Sequence, residues 1–122
     1  VTSSVLVGCQ KTDPVETYMN AVDKELVVFD DALETALGMN VDQAAELLDN
    51  LLAAQERFAD LDVPEGAEAL AETTSGYMDL VIRMVDEIVL QSCTDCAREY
   101  GAQAGAQRGV LDRDRLQPQG GH

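Results

Sequence analysis

Tryptophan is absent from this sequence, histidine occurs once, and all aromatic residues together make up 4% of its 122 positions. The hydrophobic fraction is nevertheless 46%, carried mainly by Ala, Val and Leu, which is enough for one domain with a modest core. Only three prolines interrupt the chain. Because Ala, Leu and Glu favour helices, this composition predicts an all-α fold rather than a β sandwich.

Basic residues are also scarce, with 8 Lys and Arg against 23 Asp and Glu and a net charge of −15. A surface this negative repels nucleic-acid phosphates and anionic lipid headgroups. We therefore expect no nucleic-acid partner and no polybasic membrane contact. Clustered acids could collect cations loosely, although a hydrated acidic surface explains them as well. No apolar run approaches the roughly 20 residues that span a bilayer.

The first two helices are indicated by caps and by apolar spacing. Asp13 is a preferred N-cap, Pro14 suits the first helical position, and apolar residues then recur every three or four positions up to Ala36. Gly38 is the expected terminator, so we predict a helix over residues 14–37. Asn40 caps a second, Leu-rich helix over residues 41–61, which ends before Pro64.

The third predicted helix is longer and covers residues 64–100. An apolar stripe stays in phase from Leu70 to Ile88 and continues on an adjacent strip to Tyr100. The segment Thr73–Gly76 is weak in helix propensity and could break the helix, but the unbroken stripe favours continuity. Residues 101–122 are rich in Gly and Gln, which predicts a frayed or disordered, mobile tail.

These segments predict an up-down-up antiparallel three-helix bundle with a long third helix and a mobile C-terminal tail. The end of helix three would overhang the bundle, and its apolar side would need a cover. The overhang contains Val89, Cys93, Cys96 and Tyr100. The tail folding back, a second copy of the chain or another protein partner would provide that cover.

Cys93-Thr94-Asp95-Cys96 is the clearest chemical feature in the predicted helices. A single CxxC supplies half of a tetrahedral metal site, and Ala97 occupies the position of the His that covalent haem attachment requires. We expect this motif near a helix C-terminus beside acidic residues, where a catalytic thiolate is disfavoured. Two readings remain, a structural disulfide between Cys93 and Cys96 or two buried free thiols.

The usual catalytic constellations are missing. His122 is the only histidine and ends the chain, no Glu-x-x-His accompanies the paired carboxylates, and no Gly-rich phosphate loop occurs. Tyr18, Phe29, Tyr77 and Met84 have helical spacing that favours core positions over a ligand pocket. We predict a non-enzyme without metal or cofactor.

Near the start of the chain, Leu6-Val7-Gly8-Cys9 precedes a polar segment that ends at Asp13. The motif resembles the lipobox of bacterial and archaeal lipoproteins. The later helical region resembles small bacterial lipoproteins, in which a Tyr-containing helix, a Leu-rich helix and a long third helix follow the lipobox. The corresponding residues here are Tyr18, Leu47–Leu52 and Val63-Pro64-Glu65.

This resemblance implies cleavage by signal peptidase II and a diacylglyceryl group on Cys9. Residues 1–8 would be the remnant of a signal peptide, residues 9–13 the lipidated Cys and its tether, and residues 14–100 the helical domain. The alternative is that Val1 is the true start and residues 2–8 form an ordinary extension. Lipidation would also account for the odd one of three cysteines.

The resemblance also implies a location at the extracytoplasmic face of the cell membrane. We expect a non-catalytic binding or structural module held there through Cys9. The rival hypothesis is a self-associating subunit of a phage or filament, with the end of helix three around Cys93 and Cys96 as its contact surface.

Overall fold

The computed structural model describes residues 14–91 and 93–116, and every regular element in these ranges is helical. The all-α prediction is therefore confirmed. A short 3₁₀ turn follows the first α-helix, and a π turn follows the third. The four α-helices are α1 (Pro14–Thr35), α2 (Val41–Ala59), α3 (Glu68–Asp86) and α4 (Thr94–Leu116).

The four helices run alternately up and down. Short connections join α1 to α2 and α2 to α3, so each helix packs antiparallel to the one before it. Arg57 of α2 pairs with Glu25 of α1 at 3.0 Å, and Gln55 of α2 donates a 2.7 Å hydrogen bond to Asp79 of α3. In α4, Gln107 reaches the Thr73 carbonyl near the start of α3, so α4 returns along α3.

The core lies where the apolar stripes of the helices meet. The side chains predicted from helical spacing to be core are all buried: Tyr18, Phe29, Tyr77 and Met84. Spacing of three and four residues places such side chains on one face, and burial of that face drives the packing. The predicted cap of the second helix is present as well. Asn40 and Gln43 form a capping box, with hydrogen bonds of 2.8 Å and 3.1 Å.

The prediction of a single third helix over residues 64–100 was wrong. Pro64 to Ala67 forms a turn, in which Gly66 adopts a φ of 97°, and α3 begins only at Glu68. The helix continues through the weak segment at Thr74, as expected, but leaves α geometry at Glu87. The π turn Glu87–Gln91 then separates α3 from α4.

The predicted tail is also corrected, because residues 101–116 belong to α4. This helix packs on α3 through a face that includes the fully buried residues Ala97, Ala104 and Leu111. Such a face gives little hydrophobic periodicity but lets two helices approach closely. A Cβ added to Gly101 would lie only 3.1 Å from the Met84 sulfur. The end of helix three is thus folded back rather than overhanging.

Some predictions lie outside the described residues. They are the signal-peptide remnant over residues 1–8, the tether over residues 9–13, Cys9 itself and the last part of the tail, residues 117–122. Within the described ranges, no helix combines the length and the hydropathy needed to cross a bilayer.

Candidate functional site

Cys93 and Cys96 lie at the turn between α3 and α4, where a disulfide joins them with a Cα–Cα distance of 5.3 Å. The structure therefore has the bonded form of the motif and not the two free thiols of the alternative reading. The bond closes a four-residue ring at the start of α4 and fixes the first turn of that helix.

The motif lies at a helix N-terminus, so the expectation that it lies near a helix C-terminus was wrong. Thr94 is the first residue of α4, and the carbonyl of Cys93 accepts the first intrahelical hydrogen bond, from the Ala97 N–H at 3.0 Å. The N–H of Cys96 points at the Cys93 sulfur, 3.1 Å away. Unpaired amides and the helix dipole at this end stabilise negative charge on a sulfur atom.

Glu87 belongs to the same turn. Its carbonyl accepts a 3.1 Å hydrogen bond from the Cys93 N–H, across the π turn. Its carboxylate and the sulfurs of Cys93 and Cys96 all lie within 4.8 Å of one another. Sequence reasoning missed Glu87, because a separation of six residues from Cys93 corresponds to no spacing on an α-helix face. Bonded to each other, the two sulfurs offer no thiolate to a metal ion.

A cleft of about 260 Å³ opens beside the disulfide. It is lined by residues of the π turn and α4: Glu87, Cys96, Glu99, Tyr100 and Gln103. Two of these, Glu87 and Glu99, are acidic. Tyr100, which was predicted to form part of an uncovered contact surface, is half-buried and packs against the core. The cleft combines a bonded sulfur with two carboxylates.

A second polar cluster joins three helices. The buried Tyr77 hydroxyl donates a 2.5 Å hydrogen bond to Asp30 of α1. Arg108 of α4 holds both oxygens of the same carboxylate, at 2.9 Å and 3.0 Å, and also pairs with Asp112. Sequence reasoning missed this cluster because Arg108 fell in the predicted tail. The arrangement docks α4 onto α1 and α3.

Two members of this cluster, Tyr77 and Arg108, have raised pKa values. Burial raises the pKa of Tyr77 well above its usual range, and the hydrogen bond to the Asp30 carboxylate raises it further. The hydrogen bond to Asp30 also raises the pKa of Arg108. The phenol therefore stays protonated and the guanidinium charged, which suits a structural clasp rather than an acid–base catalyst.

A third feature lies near the start of α1. Tyr18 is 4% exposed, and its buried hydroxyl has no hydrogen-bond partner among the described residues. Burial raises the pKa of this phenol. Beside it runs an open, largely apolar groove of about 380 Å³, lined by Pro14, Thr17, Tyr18, Ala21, Leu61, Asp62 and Pro64.

Comparison of the chain with protein-family models, with curated proteins and with solved structures finds no match.

Proposed function

We propose that the protein is a lipid-anchored, extracytoplasmic helical module whose lipidated residue is Cys9. The observation that carries this proposal is the position of the lipobox-like motif. Leu6-Val7-Gly8-Cys9 ends five residues before α1 begins at Pro14. A diacylglyceryl group adds two acyl chains at once, which gives stable anchoring where a single chain would be marginal.

The disulfide supports the same location. Disulfides persist in oxidising compartments outside the cytoplasm and are rare where glutathione and thioredoxin keep thiols reduced. A bonded Cys93–Cys96 pair therefore suits an exported protein. It also leaves Cys9 as the one remaining cysteine of the three.

The tether supports it too. Five residue steps separate Cys9 from Pro14, a reach of at most about 17 Å when fully extended. Pro14 is exposed at the end of the bundle where α1 starts. The helical domain would thus lie close to the bilayer surface, and its role there would be non-catalytic binding or structure.

The rival hypothesis of a self-associating assembly subunit depended on an uncovered end of helix three. In the structure α4 covers α3 along this stretch, with Val89 and Tyr100 packed against the core. At the π turn Leu90 remains exposed, and a single exposed apolar side chain does not by itself favour that hypothesis over the lipid-anchored module.

The proposal is tested by comparing three forms of the chain expressed in a bacterium with its upstream reading frame. The forms are the natural sequence, Cys9→Ala, and a Cys93→Ala/Cys96→Ala control that removes the other two cysteines. We expect the natural sequence and the control to partition into detergent, and Cys9→Ala to stay in the aqueous phase.

Mass spectrometry of the mature N-terminal peptide gives a second readout. We expect it to begin at Cys9 and to carry the mass of a diacylglyceryl group. A water-soluble natural chain, or a Cys9→Ala variant that still partitions into detergent, would refute the proposal.

A further inference from the structure

We propose that the Cys93–Cys96 disulfide is a redox site that undergoes thiol–disulfide exchange with a positively charged thiol entering the acidic cleft. This goes beyond lipid anchoring, which needs neither cysteine. Three observations carry the inference. The two cysteines of a CxxC motif are bonded at the first turn of α4, the Cys93 sulfur accepts a hydrogen bond, and a cleft opens beside Cys96.

The geometry distinguishes the two sulfurs. Cys96 lines the cleft and is the residue that an incoming thiolate meets. The sulfur of Cys93 accepts the N–H of Cys96 at 3.1 Å and lies at the N-terminus of α4. Because exchange is faster when the departing thiolate is stabilised, attack at Cys96 with departure of Cys93 is the favoured direction.

The exchange takes two steps and moves two electrons. The thiolate of an external dithiol attacks the Cys96 sulfur, forms a mixed disulfide with it, and breaks the bond to Cys93, which leaves as a thiolate. The second thiolate of the dithiol then attacks the first dithiol sulfur, which is bonded to Cys96. A bond forms between the two dithiol sulfurs, the mixed disulfide breaks, and Cys96 is released. The dithiol is oxidised to a disulfide, and Cys93 and Cys96 are reduced.

The carboxylates of the cleft set the charge of the partner. Glu87 lies near both sulfurs and Glu99 lines the same cleft, in a chain whose net charge is −15. These charges repel an anionic thiol and attract a cationic one. They also disfavour a second thiolate beside the first, so Cys96 takes up a proton from solvent as it is released. The partner chemistry is therefore a thiol on a basic segment.

The test compares two small thiols of similar size and opposite charge, cysteamine and 2-mercaptoethanesulfonate. Each reduces the native full chain carrying Cys9→Ser, and each rate is divided by the rate of the same thiol with a neutral small disulfide at the same pH. Alkylation followed by mass spectrometry gives the time course. We expect the normalised rate to be about tenfold higher for cysteamine at low ionic strength and to converge in about 0.5 M salt.

Paired variants separate the cleft from the overall charge. Glu87→Gln/Glu99→Gln should remove most of the preference for cysteamine. Glu16→Gln/Glu72→Gln changes the net charge by the same amount at exposed positions toward the other end of the bundle. This control variant should keep the preference for cysteamine. Peptide mapping of the early mixed disulfide should place cysteamine on Cys96.

Three results would overturn the proposal. One is a charge preference that the cleft variant and the control variant change equally. Another is cysteamine mapped to Cys93. The third is a disulfide that is reduced only when urea unfolds the chain, which would make it a structural cross-link. None of these outcomes depends on Cys9, so they are independent of the test of lipid anchoring.

Discussion

Tyr18 and Tyr77 are both buried in the core, yet their hydroxyls have opposite environments. Tyr77 donates to the Asp30 carboxylate at 2.5 Å, whereas the Tyr18 hydroxyl is buried without a partner among the described residues. A hydrogen bond to a charged group stabilises the fold, while a buried unpaired hydroxyl costs free energy. The two residues therefore form a natural pair for substitution.

We expect Tyr77→Phe to lower the free energy of unfolding by about 1–2 kcal/mol, because a charge-assisted hydrogen bond is lost while Arg108 still pairs with Asp30. Tyr18→Phe should change it by less than about 0.5 kcal/mol or increase it, because no bond is lost. Urea denaturation followed by circular dichroism measures both. Equal losses in the two variants would show that Tyr18 does have a partner.

Single residues also explain what the sequence could and could not reveal about the candidate sites. Helical spacing predicted that Tyr77 is buried, because burial follows from the apolar stripe. It could not reveal that Tyr77 and Arg108 both bond to Asp30. These contacts span 47 and 78 residues of sequence, and only the folded chain brings the partners together. Likewise, the CxxC motif was visible in the sequence, but the closeness of the Glu87 carboxylate to its two sulfurs was not.

At the scale of helices, local signals set the boundaries well where a cap is present. The Asn40 capping box fixes the start of α2 where it was predicted. Between α3 and α4 the apolar pattern misled, because apolar residues continue through Ile88 and Val89, inside the π turn. A π turn inserts residues into a helix without needing Gly or Pro, so it has no strong sequence signal.

The small residues of α4 also led to a wrong prediction, that of a tail without a helix. Ala and Gly add little to a hydrophobic stripe, and the Gly- and Gln-rich composition after residue 100 predicted disorder. Yet a narrow face is what allows α4 to approach α3 closely, since a Cβ added at Gly101 would lie only 3.1 Å from the Met84 sulfur. The stabilisation of α4 comes from tertiary contact, which propensity does not measure.

Gly66 and Gly105 are expected to respond in opposite ways to substitution by alanine, because Gly66 has a positive φ and Gly105 lies within a helix. Gly66 has a φ of 97°, so we expect Gly66→Ala to lower the free energy of unfolding by about 1 kcal/mol through backbone strain. An added Cβ there would lie 3.9 Å from Val15, which excludes a clash as the cause. Gly105 lies within α4 with open space around it, so Gly105→Ala should raise stability by about 0.5–1 kcal/mol.

Thermal unfolding of the two alanine variants beside the natural chain measures the difference. Gly109→Ala serves as a second control in α4, since it too has no atom within 4 Å of an added Cβ. A Gly105→Ala variant less stable than the natural chain would indicate that this part of α4 is not helical in solution.

For the whole molecule, charge is the dominant feature. The chain carries 15 more negative than positive charges, and the described ion pairs use only a few of the acids, such as Glu25 and Asp30. Repulsion among the remaining acids opposes the compact state, and dissolved salt screens it.

We therefore expect stability at pH 7 to increase by on the order of 1 kcal/mol when NaCl is raised from about 10 mM to about 0.5 M. Thermal unfolding over a salt series measures the effect. Near pH 4.1, the isoelectric point of the sequence, the net charge is close to zero and the gain should vanish. A loss of stability with salt at pH 7 would show that the ion pairs outweigh the repulsion.

The fold class followed from composition, but the number of helices did not, and that number decides at which end of the bundle the last helix finishes. Four alternating helices bring Leu116 back to the end where Pro14 begins, and leave Cys93 at the far end, about 30 Å away. In a bundle of three helices, the last helix would have ended at the opposite end of the bundle from Pro14. On a chain held by Cys9, sulfur exchange would occur well above the lipid headgroups, where soluble thiols have access and lipid-bound ones do not.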